Sequence, residues 1–199
     1  MARWRVHGII TKGGVKTNII PDLCEAEFQC RAPTREQLVE LHDKVQGCLE
    51  AAATATGCTA EVEWSPEDML PHPYDEMVSN SPMCESFRRN IGRLGTTYLP
   101  PEEEAKLPGG STDMGNVSRV LPAIHPKFAI ETEFGNHHPG FTEYSNQPGA
   151  HEQALRAGKA MAMTALDLLT EPALMAEVKA AFAAGGGGGQ PSANATGLL

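Results

Sequence analysis

Residues 22–34, DLCEAEFQCRAPT, and the residues that follow them, 35–57, REQLVELHDKVQGCLEAAATATG, decide how this chain folds. Cys24, Ala26, Phe28, Cys30 and Ala32 fall on one side of an extended backbone, and Glu25, Glu27, Gln29 and Arg31 on the other. Such alternation predicts a half-buried strand with a polar outer face. The period then changes. Leu38, Leu41, Val45, Cys48, Leu49 and Ala52 recur at helical spacing up to Gly57, and Thr34 with Gln37 forms a capping box at the start.

Working outward, residues 4–10 (WRVHGII) read as a short strand. Gly13-Gly14 makes a turn, and Asn18-Ile19-Ile20-Pro21 leads into the alternating strand. Beyond the helix, Cys58, Ala60, Val62 and Trp64 oppose Thr59, Glu61 and Glu63, which predicts a third strand. Strand, strand, helix, strand is most of a ferredoxin-like βαββαβ unit without its leading strand and helix. The fold class expected is α/β.

Residues 65–80 are rich in Ser, Pro, Asp, His and Asn, and mark a crossing between domains. A helix restarts at Ser81-Pro82 and carries Cys84, Phe87, Ile91 and Leu94 to Gly95. Residues 99–112 turn acidic and then Gly-rich, as a loop does. Residues 121–130 (LPAIHPKFAI) predict a strand near an edge, because of its two prolines. An Ala-rich helix is expected from Pro148 to Leu169. A last helix, capped by Thr170 with Pro172 in its first turn, follows. The glycine-rich end, residues 185–199, has almost nothing to bury and should be disordered.

The chain has 199 residues, 16 Lys plus Arg and 25 Asp plus Glu, for a formal net charge of −9. That balance argues against a nucleic-acid partner, which needs a concentrated positive field. No apolar run reaches the ~18 residues of a membrane span, and MARWRVHGII has no adequate signal-peptide core. Five cysteines, Cys24, Cys30, Cys48, Cys58 and Cys84, suggest no disulfide framework, and a reducing, cytoplasmic compartment is expected. Four of them fall on apolar positions and read as small buried hydrophobes rather than catalytic thiols.

Two stretches could carry chemistry. In Gly109-Gly110-Ser111-Thr112-Asp113, glycines allow close approach of a ligand, and N–H groups with hydroxyls could hold a carboxylate or oxyanion. The plain alternative is a capped loop, with Asp113 satisfying first-turn amides. In His137-His138, with Asp113, Glu131, Glu133 and Glu143 elsewhere in the same half of the chain, imidazole and carboxylate would suit a zinc-type site. At most one of two adjacent histidines is expected to ligate, and loop histidines that merely cap or solvate are the alternative. His7, His42, His72, His125 and His151 are isolated and read as structural. Asn18 could simply shape a turn. Arg31 could be a solvated charge, or could capture a carboxylate in bidentate fashion.

Taken in order, HGIITKGGVKTNIIPD, CEAEFQCRAPT, GGSTDMGNVS, LPAIHP and NHH with an Ala-rich helix after it resemble the zinc aminoacylase and carboxypeptidase metallopeptidase superfamily of amidohydrolase type. Within it the text is most similar to the aminoacylase-like β-alanyl-lysine dipeptidase branch, over roughly residues 5–183. The resemblance implies a partial lid and dimerisation domain at 1–68, the C-terminal part of an α/β zinc-peptidase catalytic domain at 69–184, and the tail. It implies metal-dependent hydrolysis of amide bonds in dipeptides or N-acyl amino acids, with zinc, or manganese or cobalt, as the ion. It implies a homodimer through the lid. By resemblance Asn18 reaches a substrate in its own or the partner subunit's site, and Arg31 holds the substrate's terminal carboxylate. Gly110, Ser111, Thr112 and Asp113 form a substrate-binding loop, and His137 is the last metal-binding histidine, with His138 second. The other ligands and the general base are expected upstream of Met1, so the chain is expected to be a fragment with doubtful activity alone. The alternative is a non-catalytic dimerisation or binding module.

Overall fold

The computed structural model describes residues 4–64, 74–100, 103 and 110–185. The expected tail, most of the 99–112 loop, Gly109, His72 and most of the 65–80 crossing lie outside these residues. The chain divides into two compact units, one up to Glu76 and one from Met77 onward.

In the first unit, β1 (Arg5–Lys12) pairs antiparallel with β2 (Glu25–Arg31). Arg5 lies opposite Arg31, Gly8 opposite Phe28 and Ile10 opposite Ala26, with an irregularity between Ile10 and Lys12. The connection closes through a turn in which Ile19 N–H donates to Lys16 O. Gly14 there has φ 103°, a backbone that a residue with a Cβ rarely adopts.

Helix α1 (Arg35–Thr56) begins where the sequence places it. Thr34 is the N-cap and its side chain accepts from Gln37 N–H at 3.3 Å. The other half of the capping box is diverted, because Gln37 Oε1 accepts from Trp4 Nε1 at 3.0 Å. That bond ties the start of β1 to the first turn of α1. Gly57 ends the helix in the left-handed conformation, φ 69°. Arg35 makes a two-oxygen ion pair with Asp75, both contacts 3.0 Å, and its backbone N–H donates to Glu76 Oε2. Two carboxylates are thereby gathered at the positive end of the helix dipole.

Two expectations fail in this unit. Residues 58–64 form no strand, so the sheet has two strands rather than the three predicted. Trp64 instead lies on α1, its ring 4.1 Å from that of His42 and its Nε1 donating to Gln46 Oε1 at 2.7 Å. Burying the indole with a partner for its N–H outweighs an alternation that finds no edge to pair with. Nor is β2 half-buried: most of it is exposed, and Val6 and Phe28 only line a groove with Val45, Cys48 and Leu49 of α1. The cysteines follow suit. Cys24, Cys48 and Cys58 are exposed and Cys30 and Cys84 are intermediate; of the five, Cys84 packs against the core of the second unit.

The second unit is helical. It contains α2 (Ser81–Arg93), α3 (Met114–Val120), α4 (Phe141–Ser145), α5 (Pro148–Thr170) and α6 (Pro172–Ala184). Asn80 caps α2, accepting from Met83 N–H, while its amide nitrogen donates to Val178 O of α6. Phe87 and Ile91 of α2, Ile124, and Ala160 of α5 form the core, with Tyr98 edge-on to Phe87. Beside it runs a polar seam: Ser86 Oγ and Asn90 Nδ2 each donate to Asp167 Oδ2 at 2.7 Å, and Asn90 also donates to Thr164 Oγ1.

Residues 121–130 are not a strand. They make one isolated parallel bridge, Ala123 with Ser79, since prolines at 122 and 126 leave too few N–H groups for a ladder. Thr170 does not cap the last helix; it closes α5, its hydroxyl donating to Leu166 O, and Glu171 occupies the N-cap of α6.

Candidate functional site

Asn18 and Arg31 both belong to the first unit, but the hairpin separates them. Asn18 is exposed in the turn beyond Lys12 and Glu25, whereas Arg31 ends β2 opposite Arg5, the first residue of β1. Six residue steps of strand put the two ends of the sheet about 20 Å apart. Arg31 Nη2 donates to Gln29 Oε1 at 3.0 Å, which lays the guanidinium along the polar face of the sheet. Cys30, between them in sequence, points to the other face, and burial pushes its thiol above the ordinary cysteine value. It is a poor nucleophile on that account.

In the second unit Gly110, Ser111 and Asp113 are exposed and Thr112 is half-buried. Asp113 occupies the N-cap of α3 but makes no side-chain capping bond, so the capped-loop alternative fails for it. Thr112 takes that part: its Oγ1 accepts from Met114 N–H at 3.3 Å. The same hydroxyl lies 3.5 Å from His125 Nδ1. His125, read from sequence as an isolated structural residue, is thus brought to the Gly110–Asp113 loop. The fold does this by burying its neighbour Ile124 in the core and hydrogen-bonding Ala123 O to Asn80 N–H at 2.9 Å. The one sequence signal available was the alternation of Ala123-Ile124 with an exposed imidazole.

His137 and His138 sit in a tight turn with different surroundings. His138 stacks on Phe134, centroids 4.4 Å apart and planes 5° from parallel, and its Nδ1 accepts from Gly140 N–H at 3.1 Å. Gly140 is pressed so close that a Cβ there would stand 2.7 Å from the Phe134 ring. His137 is exposed and holds φ 73°, the one non-glycine residue with positive φ among the described residues. A residue carrying a side chain is strained in that region and is held there by its surroundings, here the bonds His138 N–H to Gly135 O and Phe141 N–H to His138 O.

Among the described residues, no group of three or more His, Cys, Asp or Glu side chains is placed to hold a metal ion. His137 offers one imidazole and His138 has one ring nitrogen engaged, so these residues do not fit a complete metal centre.

The architecture of the first unit, a hairpin with one long helix, has known relatives. Residues 7–56 match the peptidase dimerisation domain family. Beyond that domain, the likeness extends over most of the chain to proteins named as dipeptidases. It is 42% identical over 179 residues to a mouse (Mus musculus) protein named Xaa-Arg dipeptidase, covering 90% of this chain and 40% of that protein. The human (Homo sapiens) Xaa-Arg dipeptidase is 40% identical over 179 residues, with the same shares of each chain covered. One of the subunits of the p-aminobenzoyl-glutamate hydrolase of Escherichia coli (strain K12) is 24% identical over 223 residues, 87% of this chain and 46% of that protein. The chain therefore spans less than half the length of these curated relatives. No helix among the described residues is long and apolar enough to cross a membrane.

Proposed function

We propose that this chain serves a metal-dependent hydrolase of amide bonds in dipeptides or N-acyl amino acids, supplying its dimerising lid and part of its substrate-binding surface. The observation that carries the reading is the 42% identity to a protein named a dipeptidase, running through both units rather than the dimerisation domain alone. In this reading residues 1–68 are the lid and 69–184 belong to the catalytic domain. Arg31 holds the substrate's terminal carboxylate with its planar fork. Gly110 offers a backbone N–H, and Ser111 and Thr112 offer hydroxyls, to polar groups of the bound substrate; Asp113 closes that loop. His137 is the metal ligand, and zinc, or manganese or cobalt, the ion.

Asn18, in the connection between the strands, reaches a substrate in its own site or in that of the partner subunit, in a homodimer formed through the lid. Five cysteines in no disulfide suit a reducing compartment, and we place the protein in the cytoplasm.

The test is hydrolysis of β-alanyl-lysine and of dipeptides ending in arginine by the chain combined with a segment that supplies the remaining metal ligands and the general base, supplemented with zinc, manganese or cobalt and read beside sedimentation equilibrium. A dimer that cleaves such dipeptides only with added metal is the expected result. His137→Ala should remove that activity and His138→Ala should reduce it several-fold less. A dimer that neither binds nor cleaves any of these compounds would overturn the hydrolase reading and leave a non-catalytic dimerisation module.

A further inference from the structure

Residues 78–80 hold two separate stretches of the second unit in place. Val78 N–H donates to Ser118 Oγ at 2.9 Å, and Ser118 Oγ donates in turn to Gly115 O at 2.7 Å, which fixes the first turn of α3. Asn80 N–H donates to Ala123 O at 2.9 Å, and Ala123 and Ile124 are both buried. Pro126 follows, and a residue before proline is confined to extended backbone. His125 is therefore an exposed side chain on a backbone held from both sides.

Thr112 stands across from it, with Oγ1 3.5 Å from His125 Nδ1. The same hydroxyl accepts from Met114 N–H at 3.3 Å. A threonine hydroxyl has one proton and two lone pairs, and a neutral imidazole has one proton and one lone pair. With one lone pair given to Met114 N–H, the contact to the ring runs in one of two directions. Either the hydroxyl donates to Nδ1 and leaves an Nε2–H, or an Nδ1–H donates to the hydroxyl and leaves its O–H. Both arrangements leave one donor over. A hydrogen bond this long and this exposed contributes little to the fold, so stability alone does not account for the pairing.

We propose that Thr112 and His125 act as one donor unit, giving a hydrogen bond to a carbonyl or carboxylate oxygen of the bound dipeptide. The proposal rests on the reading of residues 110–113 as a substrate-binding loop and extends that loop to a side chain twelve residues beyond Asp113. The contact between hydroxyl and ring tightens when substrate takes the spare donor, since each bond in such a chain polarises the next.

Calorimetry with β-alanyl-lysine and with its C-terminal amide, on the chain combined with the segment that supplies the remaining metal ligands, tests this. Thr112→Val and His125→Phe should each weaken binding of β-alanyl-lysine roughly tenfold, one hydrogen bond, with the urea midpoint of the second unit held as a control. The double variant should lose far less than the product of the two, because both side chains act on one oxygen. His125→Gln, which restores an N–H near the position of Nε2, should recover part of the loss. In the wild-type protein, substrate should also shift the ring nitrogen resonances of His125. An equal loss on the amide would assign the bond to the peptide carbonyl, and a loss confined to the free acid would assign it to the terminal carboxylate. A His125→Phe protein that binds as the wild type does, while Ser111→Ala and Thr112→Val weaken binding, would overturn the role of His125 alone. Unchanged binding in all three variants would overturn the reading of the loop as well.

Discussion

His137 and His138 stand next to each other in a text that does not distinguish them, and the turn they occupy treats them oppositely. His138 is flattened on Phe134 and spends Nδ1 on Gly140 N–H, while His137 is thrown outward at φ 73°. Gly140 is the pivot, because any side chain there collides with the Phe134 ring. Gly140→Ala should displace the ring, break the His138 stack and cost about 1–3 kcal/mol. Loss of the upfield-shifted His138 ring protons in NMR spectra, with a lower urea midpoint, would report it; an unchanged spectrum would show that the turn does not depend on the stack. Thr112 and His125 make the same point from the other side. The hydroxyl was legible as a candidate, but the imidazole thirteen residues later reaches it because Ile124 is pulled into the core.

Elements differ in how far local pattern determined them. Helix α1 was legible at both ends, since its Thr34 cap and Gly57 stop act within one turn of chain. The strands at 58–64 and 121–130 were not, because a strand exists only where another edge accepts its hydrogen bonds, and alternation carries no information about that edge. Within the hairpin, Gly8 and Phe28 form the critical pair. A Cβ on Gly8 would stand 2.5 Å from the Phe28 ring, which lies across the neighbouring strand. Gly8→Ala should therefore push Phe28 out of the groove shared with Val45 and Leu49, at about 1–2 kcal/mol. Faster hydrogen exchange of the β1 and β2 amides, with α2 and α5 unaffected, is the expected signature. A two-stranded sheet with Ile9 and Ile10 exposed is marginal alone, so its stability should also rise with protein concentration if the lid dimerises.

At the scale of the whole molecule, one acid-sensitive contribution to stability lies in the seam between α2 and α5. Hydrogen bonds from Ser86 and Asn90 hold the Asp167 carboxyl below its ordinary range, against a smaller opposing effect of burial and with help from Arg93 and Arg89. A carboxyl lowered in the folded state stabilises the fold above the unfolded value of about 3.9 and loses that contribution as pH falls through the lowered one. The helical unit should therefore lose stability as pH falls below the unfolded carboxyl range and through the lowered one. Asp167→Asn should flatten that part of the acid profile in urea titrations followed by circular dichroism. A variant with the same acid slope as the wild-type chain would assign the loss to other carboxyls.

The text of the chain was sufficient for what depends on neighbours in sequence: the α1 and α5 helices, the hairpin strands, and the family resemblance of its motifs. Caps, periods and turn residues act over a few residues, and their meaning does not change with the rest of the fold. The folded chain was needed for everything that depends on residues far apart in sequence meeting in space. It left the predicted third strand without a pairing edge, brought His125 to Thr112, set Asn18 and Arg31 at opposite ends of one hairpin, and placed Arg5 beside Arg31. Registry and core packing choose those meetings, and both are properties of the closed chain rather than of any segment in it.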